Sequence, residues 1–191
     1  MIKGSYQEIE FELDLAKSLN KVVDAIGYDK NKVSKALYKP DFSREDALLR
    51  VSPETLLEIE KLGDRQVATE DCNVLKFNNV QFDSVNKIVG TAVKNLGVKS
   101  FGLSGRTWYP ENGYMGWHTN SNSKGFRLYC SFVREAGKSF FRHKDPVSKE
   151  IITSWDKANW NFRVFKIDDA LLWHSVYSET DRFSIGYTLH I

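Results

Sequence analysis

Four histidines occur in the chain, His118, His143, His174 and His190, and two of them stand where side chains could converge on a ligand. His118 lies in Met115-Gly116-Trp117-His118-Thr119-Asn120, at the end of an expected strand and before the polar loop Ser121-Asn122-Ser123-Lys124-Gly125. Residues i and i+2 of a strand face the same side, so His118 and Asn120 can address one target. His174 sits in Leu171-Leu172-Trp173-His174-Ser175-Val176, an apolar run in which an imidazole needs a partner. Arg182 and Ser184 again share a face two residues apart. Each residue has a plainer reading: a hydrogen-bonded core histidine, a turn asparagine at 120, a surface arginine paired with Asp181 or Glu179. Taken in order as a set, they favour a site.

His143-Lys144-Asp145 has similar spelling but stands 31 residues before His174. It follows Phe140-Phe141-Arg142 at the end of a neighbouring strand, and Asp145-Pro146 reads as turn chemistry. The set centred on His118 is therefore preferred.

The elements that must hold these residues follow from patterning. Only 7 of the 25 aromatic residues fall in 1–100, and 18 fall in 101–191 with all five tryptophans. Aromatics favour strands, so a helical first half and a β-rich second half are expected. Leu15, Leu19, Val22 and Ile26 recur at helical spacing and end at Gly27. Ser43 with Asp46, and Ser52-Pro53-Glu54, are helix starts; Gly63 is a stop. A last helix is expected from about Asp83 to Gly97, and a short strand from Val74 to Phe77. Strands are expected at 98–109, 114–120, 126–134, 138–143, 150–155, 162–167, 170–177 and 182–190. Many short strands in this space suggest a sandwich or jelly roll, with the helices packed outside one sheet.

Composition sets the bounds. The 191 residues, 41% hydrophobic, suit a single domain, with 1–97 as a mainly helical support and 98–191 as the β core. A net charge of +2, from 27 basic and 25 acidic residues, weighs against a dedicated nucleic-acid binder. Residues 101–150 carry 8 basic and 4 acidic groups, an excess that suits a solvated face or a site for a small anion. No stretch is long and apolar enough for a membrane span, and the first residues lack a signal-peptide profile. Two distant cysteines, Cys72 and Cys130, read as free thiols in a reduced, cytoplasmic setting.

The ordered pattern over about 106–190 resembles the iron(II)- and 2-oxoglutarate-dependent oxygenases: a histidine with a candidate ligand at i+2, a second histidine 56 residues later, then Arg-x-Ser. The resemblance implies an α+β fold, a double-stranded β-helix buttressed by N-terminal helices. It implies an oxidoreductase, a dioxygenase or hydroxylase, with Fe(II) as cofactor and 2-oxoglutarate as cosubstrate. His118, Asn120 and His174 would be the metal ligands. Arg182 and Ser184 would take the distal carboxylate, with Tyr129 and Arg127, which share a face, nearby. The substrate would be a small molecule or a peptide, with nucleic acid ranked lowest. Arg182 follows His174 by eight residues, slightly fewer than is common in the family. Asn120 stands where the family has Asp or Glu, and its amide oxygen can ligate but brings no charge. The alternative is therefore a protein of the same fold without productive iron, acting as a binding or scaffold module. A cupin-like isomerase or sugar-binding protein is a third reading. Trp108, Tyr109, Tyr114 and Trp117 could line a substrate mouth or pack the core.

Overall fold

A computed structural model describes residues 4–77 and 83–191. In chain order the elements are β1 (Tyr6–Ile9), α1 (Leu13–Ile26), β2 (Ser34–Leu37), α2 (Arg44–Arg50), α3 (Pro53–Ile59), β3 (Cys72–Lys76), α4 (Asp83–Lys94), β4 (Ser100–Tyr109), β5 (Gly113–His118), β6 (Gly125–Val133), β7 (Ser139–Lys144), β8 (Ile151–Trp155), β9 (Asn159–Ile167), β10 (His174–Ser178) and β11 (Arg182–His190). No helix among the described residues is long and apolar enough to cross a membrane.

The helices begin and end where local chemistry satisfies their free backbone groups. Ser43 Oγ accepts the Asp46 N–H at the start of α2, and Ser52 Oγ accepts the Thr55 N–H at the start of α3, where Pro53 takes the first helical position. Gly27 closes α1 with φ 61°, a left-handed geometry that costs glycine little. All eight strands expected beyond residue 97 form. The one expected over 170–177 starts only at His174, because Leu171 turns the chain with φ 28°.

The strands are antiparallel and follow the order β1-β9-β6-β11-β4-β3-β5-β10-β7-β8, with β2 added beside β3. This path folds into two facing sheets, a double-stranded β-helix. Strand β3 joins them: Cys72 and Asn73 pair with β5, while Leu75 and Lys76 pair with β4. The short strand expected at Val74–Phe77 forms as β3, and the first half of the chain is less purely helical than its pattern suggests because β1 and β2 add to β9 and β3.

Strand alternation sorts side chains into two cores. On β11, Phe183, Ile185, Tyr187 and Leu189 face outward and pack with Leu15, Leu19, Val22 and Ile26 of α1 and Val85, Val89 and Val93 of α4. Each such apolar side chain contributes roughly 1.5–3 kcal/mol on burial. Between the sheets lie Cys72, Val74, Tyr109, Phe141, Phe165, Ile167, Leu172 and Val176. Polar groups on the same inward faces share that interior, and the candidate site is built from them. Cys72 and Cys130 are buried and unpaired.

Candidate active site

His118 closes β5 and His174 opens β10, and the two are direct cross-strand partners. A bulge makes this possible. Val176 is opposite Met115, yet His174 is opposite His118, so β5 carries one extra residue between the two pairs. Regular alternation from Met115 would turn position 118 to the other face; the extra residue returns it to the interior. Trp117 is turned outward instead, packs with Leu56 and Trp173, and donates its indole N–H to Ser52 O at 2.8 Å. Gly116 has no side chain at this bulge for a reason: a Cβ would come within 3.2 Å of Asp71. Trp117 is thus a core residue, turned away from the histidine pair.

Both rings are held alike. His118 Nδ1 lies 2.8 Å from Gly116 O and His174 Nδ1 lies 2.9 Å from Leu172 O. A carbonyl only accepts, so each Nδ1 carries the proton and each Nε2 presents a lone pair. The ring centroids are 4.1 Å apart. Burial pushes the His118 pKa down to about 4; burial and the neighbouring His118 push that of His174 well below its ordinary value. Neutral imidazoles with exposed Nε2 lone pairs are what a transition metal requires.

Asn120 follows in a left-handed conformation, φ 54°, which asparagine tolerates. Its amide nitrogen is 3.2 Å from His174 Nε2, and rotation about the last side-chain bond exchanges that nitrogen for the oxygen. The turn is pinned from outside. Thr119 N–H donates to Arg65 O at 2.9 Å, and Asp64 accepts the hydroxyls of both Thr119 and Ser121.

His118, Asn120 and His174 line an interior cavity of about 220 Å³, which Tyr129, Ser184, Lys76, Thr107 and Tyr109 also line. Among the described residues no Asp or Glu lines it, and Lys76 is the one formal cation that does. Among the described residues, neither the Tyr129 nor the Ser184 hydroxyl has a hydrogen-bond partner. Gly186 gives Tyr129 its room, since a Cβ there would press on the ring at 3.1 Å. A wider groove of about 760 Å³ lies outside, along α1 and α4, with no convergent histidines.

Two residues expected at the site are elsewhere. The Arg182 guanidinium donates from Nε to Asp156 Oδ2 and from Nη2 to Ser131 Oγ, both at 2.8 Å, and lies 5.1 Å from the Tyr109 ring centre. It does not line the cavity. Asp156 is shared with Arg163, whose Nη1 is 2.6 Å from Oδ1. Burial raises the carboxyl's pKa, but the two guanidinium charges outweigh it and hold the pKa at about 2. Arg127 binds the carbonyls of Ser123 and Phe126 and closes the turn after Asn120. Ser184 and Tyr129 do reach the cavity, so the Arg-x-Ser pair is divided between two places.

His143 is the partner of His174 on its other side, which puts three histidines in one row across β5, β10 and β7. Its ring stacks on Tyr6 at 4.1 Å, and it does not line the cavity. Asp145 accepts the Val147 and Ser148 N–H groups at 2.8 Å, so its carboxylate serves the turn. Sequence reasoning passed over Lys76. The available signal was a charge on the inward face of a strand whose neighbours at Cys72 and Val74 are apolar.

The buried rings give a pH expectation. Burial lowers both His118 and His143 to about 4, against 6.5 for the ordinary ring. Above pH 6.5 the rings are neutral in folded and unfolded chains alike. As pH falls from 6.5 towards 4, only the unfolded chain takes up these protons, so stability is lost across that window. In chelator, urea unfolding should lose on the order of 3 kcal/mol per ring between pH 7 and 4. An unchanged urea midpoint over that range contradicts the neutral, buried rings.

No sequence-family profile and no curated protein matches the chain. Solved structures do. A Pseudomonas putida prolyl-4-hydroxylase aligns over 99% of this chain and 94% of its own, at 11% identity and a TM-score of 0.53. The structure of OsALKBH1 aligns over 98% and 99%, at 10% identity and a TM-score of 0.52. Identity this low carries the fold alone. The chain has the double-stranded β-helix fold that these proteins share.

Proposed function

We propose that this protein is an iron(II)- and 2-oxoglutarate-dependent oxygenase, a hydroxylase of a small molecule or peptide. The observation that carries the reading is the pair His118 and His174: neighbouring rings, both fixed with the proton on Nδ1, at the wall of an interior cavity. The donor chemistry fits a divalent transition metal, with two imidazole nitrogens and the Asn120 amide oxygen as ligands. Such an iron, with 2-oxoglutarate, supplies the oxidising power for attack on a C–H bond.

The chain's own residues bind, orient and exclude water. Gly116 O and Leu172 O hold each ring's proton on Nδ1, and the Asn120 amide, which meets the His174 Nε2 lone pair through its nitrogen, must turn its oxygen inward to ligate. The unpartnered hydroxyls of Ser184 and Tyr129 can donate to a bound carboxylate in the cavity. Phe141 stacks on His174 and Phe165 packs against it at a tilt, with centroids at 5.5 and 5.3 Å, and the two rings keep solvent from that side.

The second reading, a binding module of the same fold, draws on position 120. Among the described residues no three of His, Cys, Asp and Glu cluster to hold a metal. Asn120→Asp separates the two. A carboxylate beside a dication gains Coulomb energy that is mostly offset by desolvation, for a net tightening of about one to two decades of affinity. For the oxygenase, the natural protein should already bind Fe(II) anaerobically in calorimetry and consume 2-oxoglutarate. For the binding module, only the variant should take up iron. If neither protein binds iron, the metal reading fails.

A further inference from the structure

We infer that the cation receiving the distal carboxylate of the cosubstrate is Lys76 on β3, in place of Arg182. This rests on the oxygenase reading and goes beyond it, because the sequence pattern points to Arg182.

The geometry is a row of donors. Lys76 pairs across the sheet with Thr107 of β4, and Thr107 pairs with Ser184 of β11. Adjacent strands are about 4.8 Å apart, so the three side chains form one line across the cavity wall. All three line the cavity, with the two histidines and Asn120. An ammonium with two hydroxyls in register is a receptor for a carboxylate. Lys76 Nζ donates to Thr107 Oγ1 at 2.8 Å, and no carboxylate is paired with it among the described residues. A half-buried ammonium without a counter-ion is costly, and an anionic ligand relieves that cost.

Arg182 is placed differently. Asp156 holds it through Nε and is shared with Arg163, and the ring of Tyr109, which lines the cavity, lies against its guanidinium. Its Nη1 is buried without a hydrogen-bond partner among the described residues, and the residue does not line the cavity. The Arg182 charge therefore serves the interior ion cluster, and the cavity's charge comes from Lys76.

The test uses the whole protein loaded with Mn(II), which is redox-silent, and calorimetric titration with 2-oxoglutarate or 2-oxobutyrate. The second compound keeps the keto-acid end and lacks the distal carboxylate. Lys76→Met should lower 2-oxoglutarate affinity at least tenfold and leave 2-oxobutyrate affinity unchanged. Lys76→Arg should recover part of the loss. Methionine replaces an uncompensated charge, so thermal melting of Lys76→Met should be at or above that of the natural protein. If the natural protein binds 2-oxoglutarate and Lys76→Met binds it within twofold, Lys76 is not the receptor. If the natural protein binds neither keto acid, the cosubstrate reading itself falls, and this inference with it.

Discussion

His174→Ala is expected to weaken divalent-metal binding by at least about a hundredfold, the upper end of what removal of a mere supporting partner costs. The same is expected of His118→Ala, because each ring is one of the two imidazoles that line the cavity among the described residues. Both rings face that cavity with the proton fixed on Nδ1 by a carbonyl two residues back. Histidine 143 is the internal control. It lies in the same row, across β10, but stacks on Tyr6 and does not line the cavity. His143→Ala should therefore keep metal affinity within a few-fold, whatever it does to stability. Mn(II) titration followed by electron paramagnetic resonance reads all three variants. Equal losses in all three, or none in His174→Ala, would remove the metal from this place.

Asp156→Ala is expected to cost about 3–5 kcal/mol of folding stability, the range for removing one member of a buried ion cluster. The carboxylate holds Arg163 and Arg182 at once, at 2.6 and 2.8 Å, and the three side chains are essentially fully buried. Its loss leaves two guanidinium groups in the interior without a counter-charge. For a chain of this size the melting temperature should fall by roughly 10 °C. The same group makes the protein acid-sensitive. Its pKa is held at about 2 against an ordinary 3.8, so its contribution is present above pH 3.8 and is lost as pH falls through about 2. A melting temperature within 2 °C or so of the natural protein's would mean that the cluster is hydrated or relaxed.

The sequence by itself determined what is encoded within a few neighbouring residues. Ser43, Ser52-Pro53, Gly27 and Gly63 set helix boundaries because a cap satisfies backbone groups one to four residues away. Alternation set the late strands, and with them the inward faces of Tyr129 and Ser184. The set at 118, 120 and 174, which the structure brings to one cavity, was legible because residue type and order can be read without knowing the path between them. β1 and β2 were not legible. They are four residues each, largely polar, and acquire strand geometry only from partners on β9 and β3. The bulge in β5 was not legible either, although it decides which way His118 faces, because register is a property of two strands and not of one. The different placement of Arg182, held by Asp156, and Lys76, which lines the cavity, was not legible for the same reason. The carboxylate that takes Arg182 comes from Asp156, 26 residues away in the chain. Local sequence fixes which groups exist and which face they share; the packing of distant strands fixes which of their charges are already spent.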